Sequence, residues 1–302
     1  MVVSSALTGG ERVIEASPTV VDARCSVSVL LLARDEEANL PRCLDALPGC
    51  DDIVVVDDMS ADATCEVARS RGARFVQRRF DTFAGKRNWA LDTVEFKHEW
   101  VLHLDADEVV TPALLAEIDA AIASTDCIAF RIPSKMMFLG RWLRHAATYP
   151  AYQVRLGRNP GLRFVQVGHG QREDLDSAQV GTLTEPYLHF AFSKGLEAWF
   201  AKHNRYSTLE AEEAMKHLRG GGVDWAGLAA VGDPVRRRRA LKELSFRLPC
   251  RPALRFLYMY VLRRGFLDGK PGLMYCRMMA TYERMIVWKM REIRLRERGE
   301  PV

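Results

Sequence analysis

No stretch of this 302-residue chain runs apolar for the ~20 residues that a membrane-crossing helix needs. The apolar segment FLYMYVL covers only Phe256–Leu262, so a spanning protein is excluded and a peripheral one is not. The first 20 residues lack a basic start followed by an apolar core, which argues against a secretory signal. Residues 1–24, polar and without steady periodicity, read as a flexible leader. The seven cysteines (25, 43, 50, 65, 127, 250 and 276) include no C-x-x-C spacing. That pattern disfavours a disulfide scaffold or a zinc site and suits a reducing cytoplasm. There is no G-x-G-x-x-G, which disfavours a dinucleotide-dependent dehydrogenase, and no internal repeat or low-complexity tract.

What is present is an ordinary folded composition, 48% hydrophobic and 27% charged. The net charge of +4 conceals an asymmetry. Arg236 to Arg264 holds ten Lys and Arg against one acid, Glu243, a net of +9, so the remainder sums to −5. A basic C-terminal stretch suits an anionic partner.

Buried-strand and helix patterns alternate from residue 25 onward. CSVSVLLLA, DIVVVDD, RFVQRR and EWVLHLDADE read as strands. DEEANLPRCLDAL, ADATCEVARSRG and AGKRNWALDTV read as helices, the second closed by Gly72. A helix follows Pro112 and a further strand lies in CIAFRIP. Residues 134–195 mix short strand-like pieces with aromatics and arginines, as a substrate-facing half would. From Gly195 the pattern is helical, interrupted around RGGGVDWAG and ending in an amphipathic helix over 273–296. Such alternation predicts a parallel sheet covered on both faces, with ligands beyond the carboxyl ends of its strands. Asp57-Asp58 and Asp105-Ala-Asp107 each close a strand, so both acidic pairs are expected on one rim.

In extended backbone, residues i and i+2 face the same side, so Asp105 and Asp107 present two carboxylates to one point. Close carboxylates repel unless a cation lies between them, and oxygen ligands of this kind select Mg2+ or Mn2+. The alternative is an acidic turn ahead of the helix at Pro112. Asp57 and Asp58 suit a ribose diol or a base N–H, whereas Ser60, Asp62 and Thr64 read as helix-capping residues. Lys86 and Arg87, following a glycine at a helix start, suit a diphosphate; a solvated basic turn is the other reading.

The blocks LLARDEEANLPRCLDAL, IVVVDDMSADAT, GKRNWAL and WVLHLDADEVVTP together resemble glycosyltransferase family 2, inverting enzymes of GT-A fold. The resemblance covers Ser26 to about Tyr206 and is closest to short bacterial members that build lipopolysaccharide core or exopolysaccharide. It implies an α/β fold, a mostly parallel sheet flanked by helices, over residues 25–195, with a helical, basic C-terminal region over 196–302. It also implies a nucleotide-sugar site using Asp35, Asp57, Asp58, Lys86, Arg87 and Asp105, and a metal site of Asp105 and Asp107, with His189 able to complete that shell or contact the diphosphate; a satisfied core histidine is its other reading. For a catalytic base the match falls on Glu173, with Asp174 beside it; an exposed turn is the alternative, and His169 reads as structural. Two departures stand out: the usual Asn of the first motif is Asp35, and the usual small residue after the second acid is Met59.

The expected reaction moves a sugar from a nucleotide-sugar donor to a hydroxyl of a glycolipid or growing glycan. The C-terminal run RPALRFLYMYVLRRGFLDGK, after Arg236–Arg239, interleaves cations with aromatics. It suits the headgroup region of an anionic membrane, where each cation contributes about 1 kcal/mol. That places the protein peripherally on the inner face of the cell membrane. Packing on the catalytic domain is the other reading, and no module for nucleic acid accompanies the basic run. Lys202, His203, Asn204 and Arg205 read as a solvated helix face. Two rival functions are a sugar nucleotidyltransferase, which would show a Gly-rich loop after the first strand, and a receiver-like binding domain, which would leave most of the chain unexplained.

Overall fold

The computed structural model describes residues 25–79, 81–167, 170–220, 222, 224–230 and 234–302. The leader expected over 1–24 and His169 lie outside these, as do the side chains of Arg236, Arg238, Arg239 and Lys242. The chain runs β1 (Ser28–Ala33), α1 (Leu40–Asp45), β2 (Ile53–Asp57), α2 (Thr64–Ser70), β3 (Arg74–Gln77), α3 (Phe83–Thr93) and β4 (Trp100–Asp105). Next come β5 (Glu108–Val109), α4 (Pro112–Ile122), β6 (Ala129–Phe138), β7 (Arg141–Trp142), β8 (Ala151–Arg158), β9 (Phe164–Val167) and β10 (Gly170–Glu173). The last strands are β11 (Val180–Thr182) and β12 (Tyr187–His189); the helices α5 (Gly195–Arg219), α6 (Trp225–Ala229), α7 (Pro234–Ser245), α8 (Arg251–Leu257) and α9 (Gly269–Glu297) follow.

The main sheet has the order β3-β2-β1-β4-β8-β6-β12-β5, with β7 and β11 attached to β6. β3, β2, β1 and β4 are mutually parallel, as the alternation of strands and helices requires. β8 then runs antiparallel to both β4 and β6, so the sheet is mixed rather than uniformly parallel. The β6–β8 pairing jumps from Phe130↔Leu156 to Arg131↔Val154, leaving Arg155 as the extra residue of a bulge.

Residues of β1 alternate between two cores. Val29, Leu31 and Ala33 pack with Leu40, Leu44, Ala68, Leu114 and Ile118 on one face. Leu30 packs with Ala84, Ala90 and Leu91 of α3 on the other. This two-sided burial is why these strands read as near-continuous apolar runs. The C-terminal helices are anchored by a third core, in which Trp199, Met259, Tyr275, Cys276 and Met278 meet Phe138 and Leu143. Ile286 and Met290 of α9 join Ala211, Ala214 and Phe246 in a fourth.

Several local expectations are corrected. Helix α1 starts only at Leu40, because the residues before it bond to the neighbouring loop. Gly72 does end α2, at φ +76, with its N–H on the Arg69 carbonyl. The N-cap of α2, however, is Ala63, which makes no side-chain cap bond. Although the cysteine spacing gave no sign of pairing, Cys25 and Cys50 form a disulfide beside the β1–β2 pair.

Candidate active site

The β1–α1 and β2–α2 loops are bonded to each other residue by residue. Asp35 N–H donates to Ser60 Oγ (2.7 Å), and Ala61 N–H to Asp35 Oδ1 (2.8 Å). Glu36 N–H donates to Thr64 Oγ1 (2.8 Å), Glu37 N–H to Asp62 Oδ2 (3.1 Å), and Ala63 N–H to Glu37 Oε2 (2.9 Å). Asp57 is fully buried, and its carboxylate accepts from Ser60 N–H (2.8 Å), from the Ser60 hydroxyl and from Gln77 Nε2 (3.2 Å). Asp35 and Asp57 therefore hold the loop pair together. Met59 follows at φ +55, a left-handed conformation that costs a residue with a Cβ about 1 kcal/mol and that glycine adopts freely.

Beyond this pair of loops, on the carboxyl rim of β1, β2 and β4, lies a cavity of about 420 Å³. Its lining includes Asp58, Lys86, Asp105, Asp107 and His189, so both acidic pairs do reach one rim. β1 lies between β2 and β4, with Ala33 opposite Asp57 and Leu32 opposite Asp105. Asp58 takes a hydrogen bond from Arg34 Nη1 at 2.9 Å. Lys86, buried at the start of α3, reaches the Ala33 carbonyl at 3.4 Å. Burial pulls its pKa below the ordinary lysine value, against the pull of Asp58 and Asp57. Helix α3 is positioned by the Thr82 side chain, which accepts from Gly85 N–H.

Asp105 is held from behind by two buried guanidinium groups: Arg87 Nη2 on Oδ1 at 2.7 Å and Arg155 Nη2 on Oδ2 at 2.8 Å. Arg155 also pairs with Glu108, and Glu108 Oε2 accepts the Asp105 N–H at 3.0 Å. Burial opposes the Asp105 charge, but Arg155 and Arg87 outweigh it and hold the carboxyl well below the usual carboxylate range. Glu108 is completely buried, which raises its pKa despite Arg155. Beneath them His103 is fully buried, and burial, with Arg87 and Arg155, drives its pKa down and keeps it neutral.

Asp107 stands apart from this cluster, with one oxygen 3.4 Å from His189 Nε2. Burial disfavours a charged His189, yet the hydrogen bond and charge of Asp107, with Glu108 and Asp105, raise its pKa above the usual imidazole value. β12 brings His189 there by pairing with β5, His189 opposite Glu108. Among the described residues, no group of three or more His, Cys, Asp or Glu side chains is ready to hold a metal. Asp107 and His189 offer one oxygen and one nitrogen donor, a pair that fits a divalent cation completed by ligand oxygens. Asp105, with both oxygens on arginines, fits that role less well.

Glu173 and Asp174 lie elsewhere. Glu173 ends β10 of a separate two-stranded sheet, paired with Phe164, and Asp174 N–H bonds to the Arg163 carbonyl. Neither is among the residues lining the cavity. A further carboxylate that does line it is Glu36, which takes hydrogen bonds from Asn39 Nδ2 and Lys194 Nζ, both at 2.6 Å. Burial raises its pKa although both of these partners lower it. Its place in the first motif, directly after Asp35, was the signal available. Arg155 had none, since a bulge leaves no simple sequence mark.

The profile of glycosyl transferase family 2 matches residues 28–172. Residues 28–172 belong to that family. The lipopolysaccharide core biosynthesis glycosyltransferase LpsC of Rhizobium meliloti is 26% identical over 205 residues, covering 63% of this chain and 72% of the relative. An uncharacterized glycosyltransferase of Rickettsia bellii is 24% identical over 283 residues, covering 89% of this chain and 87% of the relative. Glucosyl-3-phosphoglycerate synthase from Mycobacterium tuberculosis, solved with Mn2+, UDP and glucosyl-3-phosphoglycerate, is 16% identical. It covers 56% of this chain and 73% of its own, with a TM-score of 0.40.

The fold is the one the resemblance implied: a sheet flanked by helices, with a C-terminal helical region. The nucleotidyltransferase and receiver-like readings are set aside by the family match.

Proposed function

We propose that this chain is an inverting, metal-dependent glycosyltransferase that moves a sugar from a nucleotide-sugar donor to a hydroxyl of a lipid-linked glycan. Likeness to LpsC supports an acceptor in cell-envelope polysaccharide assembly. The observation that carries the reading is the convergence of Asp58, Lys86, Asp105, Asp107 and His189 on one rim cavity. Residues 25–195 form the catalytic part, and residues 196–302 its acceptor- and membrane-facing extension.

Asp58 and Lys86 receive the nucleoside, and the arginine-backed Asp105 orients the donor from the strand end. Asp107 and His189 would hold a divalent cation, whose charge would offset that of the departing diphosphate. Lys86 adds a fixed positive charge whose burial strengthens it against the same phosphates. A carboxylate then takes the proton of the acceptor hydroxyl as its oxygen attacks the anomeric carbon opposite the leaving group. The family pattern assigns this step to Glu173 or Asp174; the cavity itself offers Glu36.

Peripheral membrane contact has structural support. Among the described residues no helix is long and apolar enough to cross a membrane. The turns between α8 and α9 nevertheless expose Val261 (50%), Leu262 (75%), Phe266 (47%) and Leu267 (57%), beside exposed Arg264 and Lys270. That combination suits insertion into an anionic headgroup layer.

The test is calorimetric titration of UDP, GDP and CDP with and without Mn2+, on the wild type and on Asp107→Asn. One nucleotide is expected to bind with Mn2+, and Asp107→Asn to lose the Mn2+-dependent part of that affinity. Equal binding by the variant would remove Asp107 from the site.

A further inference from the structure

A second cavity, of about 410 Å³, opens between the β12–α5 connection, α5 and α9. Its lining shares Glu36, Asp107 and Lys202 with the rim cavity, so the two meet beside Asp107. Apolar residues form its other wall: Phe192, Trp199, Tyr275 and Met279. A pocket that joins a donor site at its metal-binding acid is where an attacking hydroxyl has to come from.

The charges lining this cavity do not balance. Glu36 is paired with Lys194, and Asp107 lies 3.4 Å from His189 Nε2 and faces the proposed metal site, so each lining acid already has a partner. Lys202 and Arg205 remain, and neither forms an ion pair among the described residues. They are exposed and lie three residues apart on α5, so they share a face. His203 between them adds no compensating acid. Its Nδ1–H donates to the Trp199 carbonyl at 2.8 Å, and its ring stacks on Trp199 with centroids 3.6 Å apart. The indole is thereby fixed as wall, and the two cations are left facing the opening.

Resting on the glycosyltransferase reading, we infer that this cavity is an acceptor subsite for an anionic saccharide, one whose carboxylate or phosphate is held by Lys202 and Arg205. A neutral sugar would leave two adjacent cations without a counter-charge, whereas an acidic group forms charge-assisted hydrogen bonds with both. Arg205 lines only this cavity and Lys202 lines both, so Arg205 separates acceptor from donor effects.

The experiment is titration calorimetry on the full chain saturated with its nucleotide and Mn2+, so that the donor cavity is filled. The probes are glucose, glucose 6-phosphate and glucuronate, against wild type, Arg205→Gln and Arg205→Lys. Both acids are expected to bind wild type about tenfold or more tightly than glucose, the worth of one charge-assisted contact. If only one does, that names the acidic group, phosphate or carboxylate. Arg205→Gln should erase the preference and Arg205→Lys retain part of it, while nucleotide affinity stays unchanged in both. Equal affinity for all three sugars, or an undiminished preference in Arg205→Gln, overturns the inference. A wild type that binds no nucleotide refutes the glycosyltransferase reading instead, so the two failures are distinguishable.

Discussion

Replacing Arg155 by Met tests whether the rim is held by its buried ion cluster. Arg155 is 4% exposed and joins Asp105 to a Glu108 that is wholly buried. Met keeps much of the side-chain volume but leaves the Glu108 charge with no partner guanidinium and Asp105 with Arg87 alone. Breaking one member of such a cluster costs about 3–5 kcal/mol, because a charge is left uncompensated. At roughly 2 °C per kcal/mol for a chain of this size, Tm falls by about 6–10 °C. Adding Glu108→Gln removes the stranded charge and keeps an oxygen for the Asp105 N–H. The double variant should therefore recover more than half of the loss, a coupling read from urea unfolding of the four proteins. Acid behaviour gives a second readout. The Asp105 carboxyl is held low when folded, so its stabilising contribution is complete above the unfolded value of about 3.9 and is lost as pH falls below it. Wild type should lose stability faster than Arg155→Met on acidification through that range. If Arg155→Met lies within about 1 kcal/mol of wild type, or the double variant is no more stable than the single, the cluster is not what holds the rim.

Two other outcomes are expected. Glu36→Gln, Glu173→Gln and Asp174→Asn separate the three candidate bases: the true base loses sugar transfer by about 10²–10⁴-fold with donor affinity intact, and the other two change transfer little, as single-turnover assays would show. Leu262→Asp should weaken sedimentation with vesicles containing anionic phosphatidylglycerol while leaving nucleotide binding unchanged; unaltered sedimentation would exclude the α8–α9 turns as the membrane contact.

The parallel half of the fold was legible because its signals are local. β1, β2 and β4 are apolar runs, the last two closed by acids, and Gly72 marks a helix end. The strand-closing acids Asp57-Asp58 and Asp105-Ala-Asp107 were thereby expected on a common rim, and Asp58, Asp105 and Asp107 line one cavity there. What could not be read depends on contacts between distant segments. Ser60 and Asp62 look like helix caps, yet their side chains accept from Asp35 and Glu37 across the loop pair. Lys202 and Arg205 look like a solvated face, and only the placing of α9 and the β12–α5 connection beside them makes that face an edge of a cavity. The Cys25–Cys50 disulfide depends on β1 and β2 being neighbours, and the role of Arg155 on a bulge in β8.

The two cavities differ in how they are built, and that difference bears on catalysis. The donor rim is fixed by strand ends, by the bonded loop pair and by a buried ion cluster, none of which can shift without breaking several hydrogen bonds at once. Preorganisation of this kind is what electrostatic stabilisation of a departing diphosphate requires. The second cavity is walled by helices whose attachment is a separate apolar core around Trp199, Met259 and Tyr275. Its contents can vary by substitution on one helix face without disturbing the strand ends. On the proposed function, donor chemistry would depend on the sheet and acceptor choice on α5. The Lys194–Glu36 pair, reinforced by Lys194 Nζ on the Arg34 carbonyl at 2.9 Å, ties the start of that helix to the first motif. Through it, the wall proposed for the acceptor is registered against the β1 end of the rim cavity.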